Sequence, residues 1–562
     1  RKRFIKQLKP FSDYAKMDSE VIHRRDTMKR IITLSLAVFL MASMLTACSS
    51  YKKLDTKIEG EISVMLWSGD GTFAEDIGHK DLAPEDLKGQ NQAAAYAVAK
   101  AFNAIYPNVK INVYAKSGGP NDNGTSWAQE LENFKAEHGR YPDVYASTDL
   151  VGDVAKGLVA DLSQFKDDPL YKSFNKSVMS MMNYYGFQAG IPQFLQPWGV
   201  YINKALAEEN NIDVPGVNWT IEEYTDFINE ADNENFWGAM DTEMNFIRTG
   251  STSFEQMMFN YKGTGDYVDL DSDEIKALLD FVPEWSKSAI YTQRDLGLVS
   301  DEVMNANWWW SHKFFMENKI LTNGGDPWMM GDCANPDPAH WAACKSTDWD
   351  IYPRPSTDYQ PNTVGVVLDP MAVTNYCMVD GDKACTDEEK EQVKLAYTFA
   401  SFWAGDTRSW QARADQEFLD GEILKTAMND SLPLVTGDKF DEQMEIWYSA
   451  PNHTRFKDAA VMPGFHEVLK IWEAGQFWAV SDKAYPWTYD FEGTSRPIIY
   501  EWDNIWNPDV AGARRTDANW ADSVKSKLSD WNTAINQRFE DASASLKNGL
   551  KTFYGFEDSD FK

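Results

Sequence analysis

The sequence predicts an α/β protein with a parallel, doubly wound sheet, and three observations predict it. Strand-like and helix-like apolar patterns alternate along residues 58–146, polar residues follow the first and third strand patterns, and a long three- and four-residue apolar period lies near the end of the chain. Such alternation puts helices on the faces of a parallel sheet and ligand positions beyond its strand ends. In order, residues 58–67 read as a buried strand that ends at Ser68-Gly69-Asp70-Gly71. Residues 91–106 are helical, with Tyr96, Ala99, Phe102 and Tyr106 on one face, until Pro107 breaks the pattern. Residues 109–114 alternate as the second strand, 127–138 form the second helix, and 141–146 form a third strand running into Ser147-Thr148-Asp149. From Val524 through Leu528, Trp531 and Ile535 to Phe553, the apolar period is that of one amphipathic helix packed on the body.

Composition narrows the function. The 54 Lys/Arg stand against 86 Asp/Glu, a formal net charge of −32. That balance argues against nucleic acid, whose phosphates need a basic surface, and against a basic face on anionic lipid. With 43% apolar and 25% charged residues, the chain has the make-up of a packed protein. Its 22 Trp, 24 Tyr and 30 Phe exceed what a core needs. Flat rings at a wet surface suit sugar recognition.

Residues 1–47 read as an address rather than part of the fold. Lys29 and Arg30 precede an apolar stretch over 31–44, too short for a permanent span. Leu45-Thr46-Ala47-Cys48 then resembles a bacterial lipobox, which implies cleavage before Cys48 and lipidation of its thiol. Residues 48–57 would be the tether. Residues 1–47 hold ten basic and four acidic groups, so the remainder carries 44 against 82 and a net −38. The expectation is a strongly acidic body held by lipid at the extracellular face of a bacterial membrane.

Four further cysteines fit that compartment. Cys333 and Cys344, and Cys377 and Cys385, lie close in sequence without metal-site spacing, and His is scarce. Of the three pairings that four cysteines allow, the two local disulfides are expected. Asp269-Leu270-Asp271-Ser272-Asp273 begins like a calcium loop, but Glu274 stands where the turn needs Gly, and a helix start at Ser272 reads better. No nucleophile elbow, zincin, phosphate loop or dinucleotide motif occurs.

Five stretches together resemble the extracellular solute-binding proteins (family 1, maltose-binding-protein-like) of bacterial ABC sugar importers. They are Pro142-Asp143-Val144 followed by residues 155–162, Gly190-Ile191-Pro192 leading to Tyr201-Ile202-Asn203-Lys204 and residues 219–224, residues 313–328 ending in Gly324-Gly325-Asp326-Pro327-Trp328, residues 349–355 with 364–374, and residues 396–403. The resemblance covers residues 58–409 well and those after 432 loosely. It implies a two-lobed, type II periplasmic-binding-protein-like fold with hinge-connected lobes and a ligand cleft between them. Residues 58–190 with 366–430 would form the first lobe and 191–365 with 431–562 the second, with crossings near 190–203 and 363–374. Regions 322–345 and 486–520 are enlarged relative to the pattern.

The implied function is capture of a carbohydrate, expected to be an oligosaccharide, and its delivery to ABC permease subunits served by a separate ATPase. No catalysis, cofactor or metal is expected, and the state would be monomeric. A secreted glycoside hydrolase is the alternative, since hydrolysis needs only two suitably spaced carboxylates. Sugar recognition calls for aromatic faces beside bidentate polar groups. Asp70 and Asp149 resemble the family's hydroxyl-accepting carboxylates, although a turn and a helix cap are their other readings. Gln193, Gln196 and Trp198 lie in the first crossing, and Trp328 matches the family's stacking Trp. Trp308 from the run 308–310, and Trp487 with Tyr489, complete the expected ligand-binding set.

Overall fold

Strand β1 (Gly60–Trp67) holds five successive buried residues from Ile62 to Leu66, so both its faces are covered, as a parallel sheet requires. In the computed structural model, the residues described are 51–67, 74–116, 127–240, 269–324, 329–330, 348–379, 385–479 and 508–561. Those from Leu54 onward belong to one compact unit. Cys48, Asp70, Trp328, Cys333, Cys344, Trp487 and Tyr489 lie outside the described residues.

The alternating elements form in the expected order. After β1 come α1 (Gln90–Asn103), β2 (Val109–Lys116), α2 (Trp127–His138), β3 (Val144–Ala146) and α3 (Leu150–Ala155). β2 and β3 flank β1, both parallel to it. The chain later supplies β4 (Ile191–Trp198), β5 (Val200–Ile202), α4 (Ile221–Asn229), α5 (Asp273–Trp285), β6 (Thr322–Asn323) and β7 (Asp350–Tyr352). Next come β8 (Val364–Val373), α6 (Asp387–Gly405), α7 (Thr407–Asp415), α8 (Asp438–Ser449), α9 (Pro463–Glu473), β9 (Phe477–Ala479) and α10 (Leu528–Tyr554).

Two sheets organise these elements. The larger runs β9-β8-β3-β1-β2, with β4 also paired to β8. It is mixed rather than parallel throughout, because β8 runs antiparallel to both β3 and β4. All ten residues of β8 are buried, so its sequence has no alternation from which direction could be read. The smaller sheet is antiparallel, in the order β6-β5-β7.

The chain passes between the sheets twice. The first passage is the single residue Gly199, between β4 and β5. A Cβ there would lie 2.3 Å from the Tyr352 carbonyl oxygen and 2.8 Å from Ile351 Cγ1, so the strand entering the small sheet touches the strand leaving it. The second passage runs over 353–363, closed by an antiparallel bridge between Arg354 and Thr363. It therefore lies before β8 and not within 363–374.

β4 pairs with β8 of the larger sheet. The C-terminal helix α10 packs on α3, with Gly549 so close to Ala155 that a Cβ would lie 2.4 Å from its Cα. Further along, the Tyr554 hydroxyl donates to the Val159 carbonyl at 2.7 Å, and the Phe187 and Tyr554 rings meet at 4.5 Å. The apolar period of α10 identified a packed face but not its partner.

Local chemistry explains several element ends. Thr220 and Glu223 form a reciprocal capping box on α4, and Thr386 and Glu389 do so on α6. Ser272 caps α5 by accepting from the Ile275 N–H, the helix start expected there. The Cys377–Cys385 disulfide closes the loop before α6. Beside it, the Tyr376 hydroxyl donates to buried Asp143, whose carboxylate also accepts from the Ser63 N–H at 2.6 Å, the Ser63 hydroxyl at 2.7 Å and the Gln392 amide at 2.8 Å. These bonds satisfy a buried charge and tie β1, β3 and α6 together.

Candidate functional site

The first crossing brings three of the expected residues onto one strand. In β4, Gln193 is buried and Trp198 half-buried. The Gln193 amide accepts from the Trp67 N–H at 3.3 Å and donates to the Trp67 carbonyl at 3.4 Å. It thus fixes the end of β1, while its own carbonyl takes the Trp403 indole N–H at 3.1 Å. Gln196, opposite Val367 on β8, is half-buried, and its amide has no partner among the described residues. Trp198 donates its indole N–H to the Gly324 carbonyl at 2.5 Å, which anchors the first crossing to the glycine-rich segment leading to Trp328. The Arg354 guanidinium, from the second crossing, lies 5.6 Å from the Trp198 ring centroid. The two passages between the sheets therefore meet at one aromatic ring.

The ends of β1, β2 and β3 contribute a second group. Trp67 and Lys116 are register partners at the last position of their strands, and the Lys116 ammonium lies 5.6 Å from the Trp67 ring centroid. Lys116 is buried and pairs with Glu130 at 3.4 Å. Neither Trp67 nor Lys116 was in the expected set. Trp67 is the final residue of its strand pattern, which was the available signal, whereas the second strand runs two residues past the expected 109–114 to reach Lys116. After β3, Asp149 caps α3, accepting from the Gly152 N–H at 2.9 Å. A Cβ on Gly152 would stand 1.9 Å from the carboxylate, so the glycine is what lets Asp149 reach the backbone. One turn on, burial raises the pKa of Asp153, while the Ser147 hydroxyl at 2.7 Å and the Tyr145 hydroxyl at 3.2 Å favour its charged form.

Trp308 takes a different place. It is 65% exposed, and its ring lies 5.0 Å from the Lys313 ammonium. Among the described residues, no ring contact or hydrogen bond joins it to β4 or to the strand ends.

At the far side of the crossing, Asp350 on β7 accepts from the N–H groups of Gly464 and Phe465 at 2.8 and 3.1 Å, at the start of α9. Burial pushes its carboxyl up to about 6, against the lowering effect of those bonds and of Lys204. The cysteine sulfurs of Cys377 and Cys385 with Glu389 form the one potential metal-ligating cluster among the described residues, but both sulfurs are already in the disulfide. Among the described residues, no helix is long and apolar enough to cross a membrane.

Comparisons with known proteins agree with this layout. No family model matches the sequence, and no curated protein matches it either. Among solved structures, the chain is similar to a sugar transporter protein of Rhizobium etli in an open conformation, at 14% identity and a TM-score of 0.53 over 84% of this chain and 99% of that one. It is also similar to a periplasmic solute-binding protein of Pectobacterium atrosepticum, at 12% identity and a TM-score of 0.51 over 86% of this chain and 99% of that one. The chain has the α/β fold of the periplasmic solute-binding proteins.

Proposed function

We propose that this protein is the substrate-binding receptor of an ABC importer, capturing a carbohydrate between two hinged lobes and performing no chemistry itself. The observation that carries the reading is the meeting of both crossings at Trp198. An aromatic ring lies there, and two residues before it on β4 is the Gln196 amide, which has no partner among the described residues. A ring face covers sugar C–H groups, and an amide both donates and accepts for hydroxyls. Gln193 supports the site by holding the end of β1, and Asp149 is proposed as a further contact from the start of α3. Asp70, Trp328, Trp487 and Tyr489 are proposed as the remaining ligand contacts, and Trp308, on the 290–316 helical segment, as a contact outside the cleft. The proposed partners are permease subunits with a separate ATPase, met by a monomer at the extracellular face of the membrane.

Calorimetry of the purified protein against a glycan panel tests this directly. Binding without turnover is expected. Trp198→Ala and Trp328→Ala should each weaken it by about tenfold, the scale of re-exposing a large apolar surface. Hydrolysis of the glycan with a pH optimum would mean a hydrolase instead. The anchor is part of the same proposal: Cys48→Ser should move the protein from the membrane to the soluble fraction, and unchanged fractionation would remove the lipid.

A further inference from the structure

The helical segment over 290–316 displays a surface that the crossing strands do not reach. Trp308 and Trp309 are 65% and 38% exposed, and Leu296 and Leu298 nearby are 53% and 68% exposed. Both tryptophans have left-handed backbone, with φ of 55° and 53°. A Cβ disfavours that conformation, and strain of this kind concentrates at functional sites. Two large apolar side chains are therefore presented to water on two consecutive strained residues.

Neighbouring groups fix the rings. The Trp309 indole N–H donates to Asn305 Oδ1 at 2.7 Å. The Arg294 guanidinium lies 4.7 Å from the Trp309 ring centroid and donates through Nε and Nη2 to Asp301 at 3.1 and 3.0 Å. Beside this array opens a cavity of about 540 Å³ lined by Arg294, Asp295, Val299, Asp301, Pro508 and Arg514. Arg515 pairs with Asp295 at 3.4 Å. The Arg514 guanidinium is exposed and has no ion pair or hydrogen bond among the described residues.

We infer that this cavity and the two tryptophans form a second carbohydrate site, which holds a stretch of a long oligosaccharide outside the cleft. The inference rests on the carbohydrate reading above. Its volume is that of a small-molecule site. Four of its six lining residues are charged, so planar carboxylate and guanidinium groups face the space where hydroxyls would sit. The Trp309 ring, packed on the Arg294 that lines the cavity, supplies the stacking surface, with exposed Trp308 next to it in the chain. An apolar protein segment would find that charged lining a poor floor.

The test is calorimetry of the full chain with short and long linear oligosaccharides of glucose, mannose and xylose. It compares the wild type with Trp198→Ala, with the pair Trp308→Asn/Trp309→Asn, and with Arg514→Ala. Asn tolerates left-handed backbone, and melting temperatures check each fold. Long glycans should bind the wild type at two sites. The Trp308/Trp309 pair and Arg514→Ala should each weaken the second site by about tenfold or more while leaving the cleft affinity unchanged. Trp198→Ala should do the reverse. One site, insensitive to the Trp308/Trp309 pair, would overturn this inference and leave the cleft standing. Loss in the pair without loss in Trp198→Ala would uphold it and overturn the cleft assignment. No glycan binding at all would overturn both. Full glycan binding in the pair with loss of uptake in a reconstituted importer would make the surface a protein-docking face and overturn this inference.

Discussion

Asp350 shows how a single residue at the join of the sheets sets a pH response. Its carboxyl is raised to about 6 by burial, while an unfolded chain would leave it near the ordinary aspartate value of about 3.9. Between those values the folded form holds a proton that the unfolded form has lost. Its contribution is therefore fully present below the lower value and is lost as pH rises through about 6, worth about 3 kcal/mol in total. Asp350→Asn removes the titration and keeps one carbonyl oxygen, enough for the Ile351 and Phe465 N–H groups that share Oδ1, while the Gly464 N–H loses its acceptor. The constant cost of that loss does not alter the pH slope. Urea unfolding from pH 4 to 7 should show the wild type losing stability relative to Asp350→Asn as pH rises; parallel curves would mean the carboxyl titrates alike in both states. At the same scale lies the limit on reading residues from sequence. Asp149 follows a strand and precedes a helix, so ligand contact and helix cap were both open, and only the folded chain places its oxygen 2.9 Å from the Gly152 N–H. Gln193 lay in the expected segment, but its engagement with Trp67, distant in sequence, has no local trace.

Among the elements, the first three strands and two helices were legible because each had a clean period and a turn or proline after it. β8 was legible as a buried strand but not in direction, since a run buried on both faces carries no such information. The short β5, β6 and β7 offered no period at all. Gly199 joins β4 of the larger sheet to β5 of the smaller one. Gly199→Ala puts a methyl against the Tyr352 carbonyl at 2.3 Å, a backbone atom that moves only if β7 moves. The expected cost is about 1–3 kcal/mol, as for other overpacked sites, together with a changed ligand affinity because the two sheets separate. Denaturant midpoints and calorimetry read the two effects. An unaltered midpoint would show that the crossing strands yield freely.

Across the whole molecule, α10 fastens the chain's last long element to its early ones. Gly549 meets Ala155, Tyr554 meets Val159, and the Leu270 N–H donates to Asn532 Oδ1 at 2.9 Å. A chain ended at Lys527 exposes α3 and the surface around Phe187, and should melt at lower temperature with a broader transition. A sharp, unshifted melt would make α10 an accessory.

The order of strands in the larger sheet also governs how the protein comes into being. β1 lies near residue 60, yet its sheet is completed by β8 and by β9 at Phe477–Ala479. A ribosome adding about 5–20 residues each second needs roughly 20–80 s to travel between them. Within that interval, β3 waits roughly 10–45 s for β8, the neighbour it has in the finished sheet, and β8 then waits for β9. Such long-range closure slows folding and keeps the emerging chain loose, the state that the proposed extracellular placement would require during export.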